Sequence, residues 1–193
     1  MKKKLFDTLF NIFLVVIILV VCVGVAFMIG YDEPPKLALN GTELDLTDLR
    51  VSDMNDAGFY LGNNDGSLPG NTYKEFLSYY DGEDGEVSQG GISVLNGQSS
   101  KREYVDCRIF EISAKSHNKE GEATGLEATY NGEEFFGETK DDLIDMFGEP
   151  GKDTDDSKLI YYSKKKQYTT TFYFEDDACY CVEIKHKEDN LIP

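Results

Sequence analysis

The stretch G-E-T-K-D-D-L-I-D-M-F-G-E-P, residues 137–150, decides the fold that we expect for the C-terminal part of the chain. Thr139 can cap a helix, and the acidic residues after it suit the positive end of a helix dipole. Gly148 and Pro150 then end the helix. Its apolar face consists of Leu143, Ile144, Met146 and Phe147. The sequence predicts one short amphipathic helix over residues 139–147.

Three strand patterns follow this helix, at residues 158–163, 168–174 and 178–187. The connections between them are short and charged, which predicts an antiparallel meander. In the last strand, the period of two places Val182 and Ile184 on the face toward the helix. Cys179 and Cys181 should then lie on the opposite face. One helix followed by a meander indicates an α+β fold.

The preceding part of the chain is rich in strand and turn patterns. Asn40-Gly41 lies between alternating leucines and predicts a hairpin with a tight turn. Further strands are expected at 73–80, 91–95, 104–114 and 126–130, with a short helix after Ser52. We expect a β-rich lobe over residues 36–131 and a helix-plus-meander lobe over 132–193, an antiparallel sheet with one or two short helices.

The N-terminus contains an uncharged apolar run, residues 12–29. As a helix, this run is about 27 Å long, close to the hydrocarbon thickness of a bilayer. We expect a transmembrane helix at residues 9–30, which is the contact with the lipid bilayer. A cleaved signal peptide is the alternative, although its apolar region is usually shorter. A lipoprotein signal would use Cys22, but Val21 stands where a small residue is needed.

Charges at the two ends of this run set the expected orientation. Lys2, Lys3 and Lys4 precede it, so the positive-inside rule keeps residues 1–8 in the cytoplasm. Residues 31–35 read as a linker to an extracellular domain of a single-pass cell-membrane protein. Of 19 basic and 36 acidic residues, three and one precede residue 31, which leaves 16 and 35, a net charge of −19. Such a domain repels nucleic acid.

The segment from Gly137 to Lys187 resembles the helix-plus-meander unit of the SmpA/OmlA-like and β-lactamase-inhibitor-protein-like superfamily. The likeness rests on the G-x-T-x-x-x-L-x-x-x-F-G-x-P pattern of residues 137–150 and on the aromatic strands after it. More of the chain, including 37–46, 51–59 and 106–109, resembles uncharacterised exported proteins of Gram-positive gut bacteria. The superfamily resemblance implies noncatalytic protein binding or envelope assembly.

Few residues point to catalysis or to a cofactor. His117 lies in a polar loop and His186 between two lysines, neither of which suggests the oriented histidine of a catalytic triad. Cys179-x-Cys181 has the wrong spacing for a zinc site. The acidic loops at 81–86 and 153–156 are weak calcium candidates, because solvated turns explain them better. We therefore expect no enzymatic activity, no cofactor and no metal.

The remaining candidates are aromatic residues and thiols. Tyr162 and Tyr173 alternate with core positions and are candidates for a binding face. Cys107 is a candidate for a disulfide with Cys179 or Cys181, and three reduced thiols are the alternative. We expect a membrane-anchored binding module with a protein partner. A structural envelope component that positions other membrane proteins, or an enzyme of unrecognised type, are the alternatives.

Overall fold

The structure is a computed structural model that describes residues 33–62, 66–151 and 154–187. The predicted tail 1–8, the predicted membrane helix 9–30 and Cys22 lie outside the described residues. Within the described part, no helix has the length and apolar character needed to cross a membrane.

The described residues form mostly antiparallel sheet with two α-helices, in agreement with an α+β or mainly-β fold. The helices are α1 (Val51–Asp56) and α2 (Lys140–Phe147), and a 3-10 turn covers Tyr104–Asp106. The strands are β1 (Leu37–Leu39), β2 (Thr42–Leu44), β3 (Phe59–Leu61), β4 (Ser67–Leu68), β5 (Thr72–Asp81), β6 (Gly90–Asn96), β7 (Arg102–Glu103), β8 (Arg108–Lys115), β9 (Ala128–Tyr130), β10 (Glu133–Glu134), β11 (Lys158–Tyr162), β12 (Tyr168–Glu175) and β13 (Ala178–His186).

The strands form one large sheet and two small ones. The large sheet has the order β11-β12-β13-β8-β6-β5-β3, and all its pairs are antiparallel. A four-stranded sheet has the order β10-β9-β1-β2, and β4 pairs with β7. Because β13 pairs with β8, the two lobes expected from the sequence contribute to the same sheet.

One face of the large sheet carries a single hydrophobic core. This core receives Leu37 and Leu39 from β1, Met54 from α1, Leu143 from α2 and Val182 from β13. Each of these side chains is at most 1% exposed. The four-stranded sheet and both helices therefore cover this face of the large sheet, which we call the core face. The opposite face of the large sheet is called the outer face.

Several local predictions are confirmed. The Asn40-Gly41 turn joins β1 to β2, with positive φ angles of 46° and 78°. Thr139 caps α2, because its side chain accepts a hydrogen bond from the amide of Asp142. The three C-terminal strands form the expected meander. The first helix begins at Val51, one residue before the predicted cap Ser52, and Arg50 occupies the cap position.

Other predictions need correction. Met146 was expected on the apolar face of α2, but its side chain is 42% exposed. The strand predicted over 104–114 begins only at Arg108, since a 3-10 turn precedes it. Cys179 belongs to the core and not to the opposite face, whereas Cys181 is buried outside that core. The reason is a bulge: Tyr173 pairs with Cys181 and Phe174 with Cys179, so Tyr180 is an extra residue that shifts the alternation.

Candidate binding site

A concave site lies beside the C-terminal end of α2, and we call it the aromatic groove. It is lined by side chains from α2, β9, β10, β11 and β12 and by the first described residues, 33–35. Its volume is about 540 Å³, within the range of about 300–1,000 Å³ that is usual for ligand sites. The fold thus provides a preformed depression large enough for a short peptide segment.

Aromatic rings form the walls of the groove and hold one another in place. Phe147 meets Tyr130 edge to face, with ring centroids 5.0 Å apart, and meets Tyr161 in the same way at 6.3 Å. The Tyr130 hydroxyl donates to Thr170 Oγ1 at 3.2 Å, and the Tyr161 hydroxyl donates to the carbonyl of Gly148 at 3.1 Å. These bonds fix the rings before any ligand arrives.

Tyr130 and Tyr161 stay neutral at physiological pH. Burial raises the pKa of Tyr161 to about 12, with further contributions from the neighbouring Tyr130 and Glu149. Burial also raises the pKa of Tyr130, against the opposing effect of its hydrogen bond with Thr170. The groove therefore presents uncharged phenol rings.

Two apolar side chains at the rim are exposed. Met146 is 42% exposed and Tyr162 is 38% exposed, and both line the groove. Gly151 lies so close to Tyr162 that a Cβ atom there would come within 2.6 Å of the ring. On this evidence, glycine at position 151 leaves room for the tyrosine ring.

The first described residues are tied to the groove through Asn131. The amide of Lys36 donates to Asn131 Oδ1 at 3.0 Å, and the amide of Asn131 donates to the carbonyl of Lys36 at 2.8 Å. This pair places Pro34 and Pro35 along one side of the groove. The polar lining includes the carboxylates of Glu33 and Glu133, both of which are exposed.

The structure does not bring Tyr162 and Tyr173 together. Tyr162 pairs with Thr169, whereas Tyr173 pairs with Lys158, so four residues separate the two tyrosines along the strands. At about 3.3 Å per residue, the separation is about 13 Å. Only Tyr162 lines the groove. Burial raises the pKa of Tyr173 to about 12, and Glu183 adds to the effect.

The outer face carries a cluster of charges that the sequence analysis did not single out. Lys185 Nζ lies 2.9 Å from Glu111 Oε2 and 5.8 Å from the centroid of the Phe110 ring. Burial and the neighbouring Glu111 raise the pKa of Glu183. The hydrogen bond to Glu111 raises the pKa of Lys185. The hydroxyl of Ser93, opposite Glu111 on β6, is buried without a hydrogen-bond partner among the described residues.

Two aromatic residues of β5 are exposed, and Tyr73 borders this charge cluster through Phe110. Tyr73 is 42% exposed and meets Phe110 edge to face at 6.1 Å. Phe76 is 75% exposed and has a φ of +60°. It lies in an irregular stretch of β5, where the pairing with β6 jumps from Lys74 to Leu77. Left-handed backbone is unfavourable for a bulky residue and often marks a functional position.

The candidate disulfide is absent from the structure. Cys107, Cys179 and Cys181 are all free and buried. Cys181 pairs with Lys115 at the far end of β8, whereas Cys107 precedes the first residue of that strand. Eight residues of strand separate Cys107 from Lys115, about 26 Å, and a disulfide needs Cα atoms within about 7 Å. In this register, the cysteines are too far apart for the predicted disulfide.

The two histidines occupy different surroundings. His117 Nε2 lies 2.9 Å from Glu175 Oε2, and its Nδ1 lies 3.1 Å from Ser116 Oγ. This Ser-His-Glu chain does not line the aromatic groove, and the Glu175 side chain is 64% exposed. His186 stacks on Tyr168, with centroids 4.6 Å apart. Within the described ranges, no three His, Cys, Asp or Glu side chains are grouped as metal ligands.

Comparisons of the chain with protein-family models, with curated proteins and with solved structures find no match. The resemblance of residues 137–187 to the SmpA/OmlA-like unit therefore stays a prediction.

Proposed function

We propose that the chain is a membrane-anchored, extracytoplasmic, noncatalytic binding module and that a protein partner binds in the aromatic groove. The observation that carries this proposal is the exposure of Met146 and Tyr162 at the rim of a depression of about 540 Å³. Covering exposed apolar side chains removes them from water, which favours association. Rings that are already fixed by hydrogen bonds lose little freedom on binding.

The membrane part of the proposal rests on the apolar run at 12–29 and on the lysines before it. The noncatalytic part rests on the resemblance of residues 137–187 to noncatalytic binding proteins. The exposed Tyr73 on the outer face and the exposed Phe76 on the same strand add apolar surface of the kind found at protein interfaces. A structural envelope component remains the alternative, and it would use the same surfaces in a permanent complex.

Photo-crosslinking in living cells tests the proposal. A photoreactive residue replaces Tyr162 in one variant and Met146 in another. A third variant carries it at Asp84, an exposed position in the turn between β5 and β6. We expect a discrete protein adduct from the two groove positions and none from Asp84. Equal labelling from all three positions, or no adduct from the groove, would overturn the assignment of the groove as the binding site.

The identity of the adduct separates the two noncatalytic functions. A partner that exchanges on dilution of solubilised membranes favours a binding module, whereas a permanent membrane complex favours an envelope component. The orientation is tested by external protease on protoplasts, which should digest the domain. Protection until lysis would reverse the orientation. A thiol-specific impermeant reagent needs an Asp84→Cys variant, because the native thiols at 107, 179 and 181 are buried.

A further inference from the structure

We infer that the aromatic groove takes a lysine side chain of the partner protein, with its ammonium group at the carboxylates of Glu33 and Glu133. This inference rests on the proposed function and adds the chemistry of the partner.

The side chains that line the groove carry negative charge, and Lys166 lies over the ring of Tyr162 at the rim. The lining holds two carboxylates and, among the described residues, no lysine, arginine or histidine. Neither Glu33 nor Glu133 makes an ion pair within the described part of the chain. Nearby Lys36 instead pairs with Glu43, at 3.7 Å. A site with unpaired carboxylates in a domain of net charge −19 attracts cations and repels anions.

The rings of the groove suit an ammonium group. A cation is attracted to the face of an aromatic ring within about 6 Å of its centroid. This fold already uses that contact twice: Lys166 Nζ lies 5.6 Å from the centroid of Tyr162 at the rim of the groove, and Lys140 Nζ lies 5.5 Å from that of Phe174 outside the groove. Among the described residues, the rings of Phe147 and Tyr161 carry no such lysine. Both rings line the groove and are half-buried, so each keeps an exposed part that a cation from outside can approach.

The apolar rim suits the rest of a lysine side chain. Lysine buries its methylene stem along apolar surface and keeps its charged end in a polar environment. The exposed Met146 provides such a surface beside the rings. A purely apolar ligand would use the rings and Met146 but would leave both carboxylates unpaired. The combination therefore favours a cationic ligand with an aliphatic stem.

A matched pair of peptides tests this inference. The probes are acetyl-Gly-Lys-Gly-amide and the same peptide with norleucine, which keeps the stem and removes the charge. The full chain is held in a non-ionic sugar detergent, so that the detergent supplies no ammonium group. The readout is the methyl NMR signal of Met146, with the buried Met54 as an internal control. We expect the lysine peptide to shift the Met146 signal and to leave the Met54 signal unchanged.

Two variants assign the effect to the groove. Glu133→Gln removes a groove carboxylate, whereas Glu134→Gln removes its exposed neighbour, which does not line the groove. We expect Glu133→Gln to weaken binding of the lysine peptide by about fivefold, the order expected for one charge contact near a ring. Glu134→Gln should bind as the natural chain does, and added salt should weaken binding in both.

The outcomes separate this inference from the proposed function. Equal binding of the lysine and norleucine peptides would overturn the lysine inference and leave a groove that binds apolar segments. Equal weakening by both glutamine variants would also overturn it, because the effect would come from overall charge. Binding of free choline with no binding of the lysine peptide would overturn it in favour of a small alkylammonium ligand. Failure of the groove crosslinks would instead overturn the proposed function.

Discussion

The ring of Phe147 stacks on the ring of Phe172, with centroids 5.7 Å apart and 8° between the planes. Phe147 comes from α2, and Phe172 lies on β12 opposite Val182 of β13. The contact joins the helix to the core face of the large sheet. The same phenylalanine that fastens the helix also forms a wall of the aromatic groove.

Replacing Phe147 should therefore destabilise the fold, whereas replacing its exposed neighbour should not. We expect Phe147→Ala to lower the free energy of unfolding by about 3 kcal/mol, the lower end of the range for buried phenylalanine, since Phe147 is half-buried. Met146→Ala should change it by less than about 0.5 kcal/mol. Urea unfolding of both variants is the measurement. A small effect of Phe147→Ala would mean that the packing of this ring does not hold α2 against the large sheet.

Gly90 and Gly91 provide a matched pair within one strand. A Cβ atom at Gly90 would overlap the carbonyl oxygen of Ser113 and lie 2.5 Å from the Tyr79 hydroxyl. That hydroxyl donates to the same carbonyl at 2.9 Å. At Gly91 the nearest atom is Ser113 Oγ, at 3.5 Å.

We therefore expect Gly90→Ala to destabilise the fold by about 1–3 kcal/mol through overpacking. Gly91→Ala should be neutral or stabilising by up to about 1 kcal/mol, because alanine restricts the unfolded chain. Thermal unfolding of the two variants gives the comparison. Similar melting temperatures for both would contradict the close approach of β6 and β8 at Gly90.

Local elements could be predicted from the sequence where a single residue type determines the backbone. Asn40-Gly41 has few alternatives to a tight turn, and Thr139 and Gly148 bound α2 because capping chemistry is local. The meander followed from short connections between apolar strands. These features depend on neighbours within a few residues.

The groove and the thiols could not be predicted in this way. The groove joins Tyr130, Phe147 and Tyr161 from three separate elements with residues 33–35, which lie far away in sequence. The positions of the thiols depend on the bulge at Tyr180, which local alternation does not reveal. Tyr162 is exposed, as alternation along the strand predicts. Alternation alone also indicates Tyr173 as the second residue of a binding face. The register between β11 and β12 then separates the two.

Phe76 should be replaceable by glycine with a gain in stability. Its φ of +60° is unfavourable for a residue with a Cβ atom, and its ring is 75% exposed. Phe76→Gly should therefore raise the free energy of unfolding by about 0.5–1 kcal/mol, the cost of left-handed backbone less the entropy of glycine. Leu77→Gly is the control and should lower it, because Leu77 packs on the core. Destabilisation by Phe76→Gly would show that the ring makes a stabilising contact.

Glu183 should make stability depend on pH. Its folded pKa is raised by burial and by Glu111, so the folded state holds the proton more tightly than the unfolded chain does. The stability that comes from this tighter proton binding is fully present below the unfolded pKa of 4.5. It is lost as the pH rises through the folded pKa. Glu183→Gln should therefore melt at a higher temperature than the natural chain at pH 7. The difference should shrink toward pH 4.

A lower melting temperature of Glu183→Gln at pH 7 would contradict this reasoning. It would mean that the attraction of Lys185 and Lys115 for the Glu183 carboxylate outweighs the effects of burial and Glu111, which oppose its ionisation.

The three thiols of the domain should react slowly in the folded protein and completely in the unfolded protein. Burial raises the pKa of Cys179 and of Cys181 to about 12 and also raises that of Cys107. Alkylation needs the thiolate, so both low access and low ionisation slow the reaction.

We expect iodoacetamide at pH 8 to leave all three unlabelled in the native chain. In guanidinium chloride without a reductant, each of the three should take one label, as measured by peptide mass spectrometry. Disulfide-linked peptides that contain Cys107, recognised by the loss of two hydrogens, would contradict the register of β8 and β13. That register holds the candidate partners about 26 Å apart.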